Sequence, residues 1–299
     1  MKIQKALHRV RVHKCLDYRY LYYWFLLAGK RGILEQYFTG ATIKHLPGQK
    51  LKSVVIDMPP IETQRRIADI LSAYDDMIEN NRKQIKLLDE AAQRLYKEWF
   101  VDLRFPGHVH TKITDGVPEG WKRRKLVDIA QVQYGYAFDG SLFNSQKIGT
   151  PIIRIRNIPQ GQTEDYTPEN VDSQYLVYNG DIIVGMDGEF HINTWAGDTA
   201  YLVQRTCRIK ALTSDLNGFL LWAIYEPIKY FEKTVVGATV AHLGKKHIDT
   251  VEILVPTEKF YLPFKSLFEA RLLLMNQNRA LAEARDRLLP KLMSGEVEV

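Results

Sequence analysis

The chain has 299 residues, 45% of them hydrophobic and 25% charged, with a net charge of +6; this balance excludes disordered, fibrous and collagen-like classes and leaves room for about two domains. Two cysteines, Cys15 and Cys207, are too few for a disulfide framework or a zinc site, so a reducing cytoplasm is the expected setting. No apolar run reaches the ~18 residues of a membrane span, whereas the cationic excess is permissive of nucleic-acid binding.

Residues 1–60 read as a strand at 9–14, where Val10 and Val12 alternate, an aromatic-rich helix at 18–38 around Trp24, a Gly-containing loop, and a second strand at 53–58 closed by Pro59-Pro60. Residues 61–104 read as one long helix, because neither Gly nor Pro occurs between Pro60 and Pro106. A 4,3 spacing runs through Ile67, Leu71, Tyr74, Ile78, Asn81, Ile85, Leu88, Ala92, Leu95 and Trp99, with Asn81 its one polar member. Such a helix extends on the order of 55 Å, longer than one small domain needs, and its seam demands a partner.

Residues 105–120, with Pro106-Gly107 and Val117-Pro118-Glu119-Gly120, read as a linker. Residues 121–258 read as a complete mixed α/β domain, with strands at 151–156, 181–185, 199–203, 205–210 and 251–255 and a helix at 218–233 around Trp222. Residues 259–299 read as a second long helix and a tail. Phe264, Leu267, Leu274, Leu281, Leu288 and Leu292 form its stripe, Pro263 belongs in its first turn, and Gly295 ends it.

A duplicated unit underlies this order. Gly40-Ala41-Thr42 falls on Gly237-Ala238-Thr239 at the same offset that places His45-Leu46 on His242-Leu243, Pro59 on Pro256 and Asn81-Arg82 on Asn278-Arg279. The period is far longer than the ~20 to 50 residues of a solenoid repeat, so it implies duplicated domains. The two long helices, separated by a domain, are most economically buried against each other as an antiparallel coiled coil. The matched Asn81 and Asn278 are polar groups of the kind that fix register in such a seam. The expected fold class is therefore α+β: a mixed α/β domain, two long helices, and the C-terminal part of a second such domain at residues 1–60.

Several stretches together resemble the DNA-specificity subunit of a Type I restriction-modification system. They are residues 58–64 leading into 67–71; Leu95 to Asp102; Pro118 to Trp121 followed by 126–129; Gly180 to Phe190; Gln204 to Arg208; and Leu288 to Glu296. The resemblance covers nearly the whole chain. It implies target-recognition domains that each read part of a split site in double-stranded DNA, and a coiled coil that docks DNA methyltransferase subunits, joined later by a motor and endonuclease subunit. It also implies no catalysis and no cofactor on this chain, with S-adenosylmethionine held by the methyltransferase. Against the family pattern, the chain starts inside the last third of its first recognition domain. Two explanations remain open: a truncated product, or a half-subunit that forms a homodimer and reads a symmetric site.

Base edges are read by side chains, and register is set by contacts to phosphate. Asp187, Glu189, His191 and Asn193 follow a strand in a Gly-containing segment and offer donors and acceptors. Tyr134 and Tyr136 flank Gly135, where aromatics can border a nucleotide chain. Arg154 and Arg156 alternate on a strand and so share a face, and Gln204 and Arg205 pair an amide with a guanidinium. Thr239 and His242 belong to the duplicated loop, which suits a phosphate contact common to both modules. Lys122-Arg123-Arg124-Lys125 is a charge run of the kind that usually lies on a solvated face.

Two rival functions, an enzyme and a protein-binding scaffold, compete with this reading. Asp57-Met58-Pro59-Pro60-Ile61 only resembles the loop of an amino-methyltransferase, since Met58 intervenes and no aromatic follows, and no Gly-rich cofactor loop follows a strand. A nuclease would need a Glu-x-Lys after a metal-binding Asp, and Asp181 with Glu189 lacks the Lys. A coiled-coil scaffold that binds only protein remains as the alternative to DNA reading.

Overall fold

A helix entered through Pro60 meets no breaker until Pro106. The computed structural model, which describes residues 7–40, 44–234 and 241–299, carries this run as a helix of 36 residues followed by a π-helical turn over Lys97–Val101. In chain order the helices are α1 (Tyr18–Lys30), α2 (Gly48–Lys52), α3 (Ile61–Tyr96), α4 (Leu126–Ile129), α5 (Asn217–Ala223), α6 (Tyr225–Thr234), α7 (Lys245–Ile248) and α8 (Glu258–Ser294). The strands are β1 (Ile113–Thr114), β2 (Val117–Pro118), β3 (Lys122–Lys125), β4 (Ala130–Tyr134), β5 (Thr150–Ile153), β6 (Tyr166–Thr167), β7 (Leu176–Val177), β8 (Ile182–Gly185), β9 (Ile192–Thr194), β10 (Ala200–Leu202), β11 (Thr206–Ala211) and β12 (Glu252–Val255). The fold class is α+β. Two compact units contain these elements, residues 1–80 with 280–299, and residues 81–279.

In the first unit, Asp17 caps α1 by accepting from the backbone N–H groups of Arg19 (2.9 Å) and Tyr20 (3.2 Å). The buried face of α1, Tyr20 and Tyr23, packs with Ile67, Ala68 and Leu71 of α3 and with Leu289 and Leu292 of α8. The Tyr23 hydroxyl donates to Asp75 at 2.6 Å, and the same carboxylate accepts from Arg285. Gln64, 1% exposed, spends its whole amide on backbone: it donates to Cys15 O and Pro59 O and accepts from Asp17 N.

The strands expected at 9–14 and 53–58 are not formed; both segments are irregular. A strand needs a ladder partner. In the second unit the duplicate of 53–58 is β12, which pairs antiparallel with β3 in the register Glu252↔Lys125 to Val255↔Lys122. Among the described residues of the first unit nothing plays the part of β3. The helix expected at 18–38 stops at Lys30, where Gly32 turns the chain at φ +69 and a 3-10 turn follows over Glu35–Tyr37. The helix expected at 218–233 is two helices, α5 and α6.

In the second unit, residues 105–120 contain a hairpin of β1 and β2, turned by Asp115 (φ +51) and Gly116 (φ +70). Two four-stranded sheets follow, ordered β4-β11-β8-β9 and β6-β5-β10-β7. The first is antiparallel throughout, and its strand β8 is buried at every position. In the second, β5 and β10 run parallel. Helix α5 is buried along its apolar run from Gly218 to Ala223. An aromatic cluster ties this domain to the paired helices: Phe105 meets Trp121 at 4.7 Å between ring centroids, Trp99 meets Phe260 at 5.9 Å, and Phe264 meets Phe219 at 5.7 Å.

Helices α3 and α8 run antiparallel in each unit. In the first, Asp75 faces Arg285; in the second, Asn81 bonds Gln277 at 3.4 Å, Asp89 bonds Arg271 at 2.7 Å, and Tyr96 faces Phe264. On α3, Ile67, Leu71, Ile78 and Asn81 are buried, and Tyr74, Ile85, Leu88 and Leu95 half-buried. On α8 the expected stripe needs correction. Phe264 is buried, but Leu267, Leu274, Leu281 and Leu288 are half-buried flanks of a deeper line through Phe260, Phe264, Phe268, Arg271, Leu289 and Leu292. Reading leucines at intervals of seven overlooked the aromatics and the arginine. Pro263 lies in the second turn of α8, because the helix already starts at Glu258.

Candidate nucleic-acid interface

The site is assembled in the second unit around the turn from β10 to β11, where the chain passes from one four-stranded sheet to the other. Gly135 packs against this turn: a Cβ there would lie 2.0 Å from Val203 O, so only glycine lets the segment after β4 approach so closely. Tyr136 N then donates to Leu202 O (2.9 Å) and Gln204 N to Tyr136 O (2.7 Å). Between β10 and β11 the chain turns through Arg205 at φ +68, which leaves Gln204 and Arg205 exposed. Val203 N reaches Ile153 O (3.2 Å), bringing the chain after β5 alongside, and Gly185 N to His191 O (2.8 Å) closes the β8–β9 turn beside it. The result is a cleft of about 560 Å³ lined by Phe138, Phe143, Arg154, Arg156, His191, Gln204 and Arg205, with Ile155 and Val203.

Its charges are ordered by two carboxylates. Asp187 accepts from His242 Nδ1 at 2.5 Å and from Arg205 Nη1. Burial opposes the charge on Asp187, but these two hydrogen bonds outweigh it and hold the carboxyl below its ordinary pKa. The loop carrying Asp187 is pinned by backbone bonds, Leu243 N to Met186 O (2.7 Å) and Gly188 N to Ala241 O (3.0 Å). Asp165 likewise outweighs its burial through bonds from Arg156 and Asn157, and its pKa is lowered. Arg156 grips it with Nε at 3.2 Å and Nη2 at 2.5 Å. The Arg154 guanidinium lies 5.3 Å from the centre of the Phe143 ring. Glu189 is exposed, with an oxygen 3.5 Å from His191 Nδ1.

Of the residues proposed from sequence, the fold brings Arg154, Arg156, His191, Gln204 and Arg205 to the cleft, with Asp187 and His242 immediately behind Arg205. Tyr136 is exposed and packs edge-on against Phe138, centroids 5.0 Å apart. Tyr134 needs correction: its hydroxyl is buried, burial raises its pKa, and the ring packs on the core. Asn193 is also buried, donating to Ile158 O and Pro159 O and accepting from Arg271 Nη2 at 2.7 Å, so its amide has nothing left for a base. Arg154 and Arg156 do not alternate on a strand, because β5 ends at Ile153 and a 3-10 helix spans Ile155–Gln160. Thr239 lies outside the described residues. Phe143 and Asp165 were absent from the sequence-based candidates; the signal for Phe143 was an aromatic within the polar loop Asp139-Gly140-Ser141-Leu142-Phe143-Asn144.

The charge run Lys122–Lys125 is strand β3, exposed at all four positions. Lys122 and Arg124 border a second hollow of about 380 Å³ with Ile129, Leu212 and Tyr261. Ala130 pairs with Ala211 and Tyr134 with Cys207, so this hollow lies at the opposite end of the β4–β11 ladder from the cleft. Among the described residues no group of three or more His, Cys, Asp or Glu side chains could hold a metal ion, and no helix is long and apolar enough to cross a membrane.

The chain thus carries a cationic, aromatic-lined cleft and two long antiparallel helices. The model of the Type I restriction modification DNA specificity domain matches residues 3–89 and 118–259. The chain belongs to this family. The specificity subunit of the Type I restriction enzyme MjaIX of Methanocaldococcus jannaschii is 28% identical over 298 residues, covering 94% of this chain and 69% of the relative. The EcoBI specificity subunit of Escherichia coli is 32% identical over 141 residues, covering 47% of this chain and 30% of the relative. In fold, the chain is similar to the crystal structure of a Type I restriction-modification S subunit from M. genitalium, with a TM-score of 0.50 and 17% identity over 93% of this chain and 73% of that one. The cleft of this specificity-family chain and most of α3 fall within the matched stretches, which end at the start of α8.

Proposed function

We propose that this chain is the sequence-reading subunit of a Type I restriction-modification complex, engaging one part of a split site in duplex DNA through the cleft of its second unit. The paired helices dock adenine methyltransferase subunits, and a motor and endonuclease subunit joins that assembly. On this reading the chain works in the cytoplasm and performs no chemistry; S-adenosylmethionine and methyl transfer belong to the methyltransferase. The observation that carries the proposal is the convergence of Arg154, Arg156, His191, Gln204 and Arg205 between Phe138 and Phe143 in a chain of this family. Guanidinium, imidazole and amide groups of this kind are what phosphate and base edges bind.

The test is binding of duplex DNA by the full chain with its methyltransferase subunits across a salt series. Neutralising phosphates makes log K fall linearly with log salt, by about 0.9 for each phosphate contacted. A salt-independent affinity would favour the protein-scaffold alternative. Measurable affinity of the isolated chain for S-adenosylmethionine would overturn the assignment of the cofactor to the partner.

A further inference from the structure

Resting on the reading above, we infer that the three cleft arginines have divided tasks: Arg205 is the specificity-determining residue and reads a guanine in the major groove, Arg154 binds a phosphate, and Arg156 is structural. The discriminating property is how much of each guanidinium's charge and donor geometry the protein has already used.

Arg156 has committed both Nε and Nη2 to Asp165. That edge is the fork with which an arginine grips a planar acceptor pair, and here it is spent within the protein. Arg154 has no ion-pair partner among the described residues and lies over Phe143. The carboxylate that acts on it through space, Asp165, is bonded to Arg156, so Arg154 is the least compensated of the three and has the most to gain from displacing counterions at a phosphate.

Arg205 differs from both. Its Nη1 is held by Asp187, whose side chain is 17% exposed and whose loop is pinned by the backbone bonds to Ala241 and Leu243. Compensation by Asp187 leaves little Coulombic gain at a phosphate. The Nε–Nη2 edge, however, has no acceptor among the described residues, and it matches the O6 and N7 acceptors of guanine. The left-handed backbone at Arg205 places the residue at the apex of the β10–β11 turn, with its side chain 58% exposed. Asp187 is thus a positioning residue: it orients the fork before DNA arrives and removes the incentive for a sequence-blind contact.

The experiment is selection from a random duplex library by the full chain assembled with its methyltransferase subunits. The wild type is expected to enrich a motif, and Arg205→Ala and Arg205→Lys to make one guanine of it degenerate while keeping the other positions. Replacing that guanine with 7-deazaguanine, which lacks the N7 acceptor, should weaken wild-type binding roughly ten- to a hundredfold and leave Arg205→Ala unaffected. This arm needs no variant to fold in order to be read for the wild type. Asp187→Asn should partly relax the same position. Arg154→Ala should weaken all sequences alike and lower the salt slope by about 1. An unchanged motif in the Arg205 variants, a uniform loss with a flatter salt slope in them, or indifference of the wild type to 7-deazaguanine at every guanine would overturn the assignment. A wild type that enriches no motif would remove the specificity-subunit reading itself, an outcome distinct from the others.

Discussion

Arg271 of α8, 8% exposed, donates Nε to the Asp89 carboxylate of α3 at 2.7 Å, and its Nη2 reaches the Asn193 side chain of the recognition domain at the same distance. One guanidinium therefore joins the two facing helices of the second unit to strand β9. Truncating it would leave Asp89 and the Asn193 oxygen in a largely buried environment. Arg271→Ala is expected to cost about 3–5 kcal/mol in urea unfolding. The double variant Asp89→Asn/Arg271→Met should recover most of that loss, since it removes the uncompensated charge and Asn193 keeps its bond to Thr194 N. Equal losses in the single and double variants would argue against a charge-driven effect.

Asp187 makes a pH prediction with a definite sign. Its folded pKa lies below the ordinary carboxylate value, so in the acid range the unfolded chain binds the extra proton first. The stabilisation it supplies is present above the ordinary carboxylate pKa and is lost as pH falls through the folded one. Between about pH 5 and about pH 2 the wild type should lose more stability than Asp187→Asn. Parallel stability curves for the two proteins would remove Asp187 from the acid transition. Asp89 has the opposite sign: burial raises its pKa against the pull of Arg271, so its contribution weakens as pH rises above the ordinary carboxylate value.

At Gly135 the demand is steric. A methyl group there would meet Val203 O at 2.0 Å, so the contact that holds Tyr136 against Leu202 would have to open. Gly135→Ala should cost about 1–3 kcal/mol or more, with weakened DNA binding. Gly140, with open space around its missing Cβ, is the control, and Gly140→Ala should stay within about 0.5 kcal/mol. A Gly135→Ala protein as stable as the control would show that this approach of backbone to backbone is dispensable.

In the helix seam the side-chain oxygen of Asn278 is buried with no hydrogen-bond partner among the described residues, while its duplicate Asn81 bonds Gln277. Asn278→Leu is expected to stabilise the chain by about 1 kcal/mol, measured as a rise in Tm. Asn81→Leu, which breaks an existing bond, should gain less. Changed oligomeric state in either variant would point to a register role for the polar pair.

The long helices were legible because helix formation is local. Freedom from Gly and Pro after Pro60, the 4,3 spacing through Ile67, Leu71, Ile78 and Asn81, and Gly295 at the end are all properties of neighbouring residues. The duplication added more, since α2 and α7, and the starts of α3 and α8, fall at matching positions in the two copies. The Thr114-Asp115-Gly116-Val117 hairpin is equally local, its Asp-Gly pair being a turn signal inside the segment that reads as a linker.

What the chain could not declare by itself was which surface each side chain would meet. Residues 53–58 and 250–255 are copies, yet only the second forms a strand, because only it has β3 beside it. Asn193 and Arg205 looked equally suited to a base, and the fold buries one against Arg271 while lifting the other onto a turn. Local sequence determined the two long helices, the seam of α3 and the family. Tertiary structure decided which arginine is spent on a carboxylate and which is left facing out, because ion pairs such as Arg156 with Asp165 and Arg205 with Asp187 join residues that only the folded sheets bring within reach.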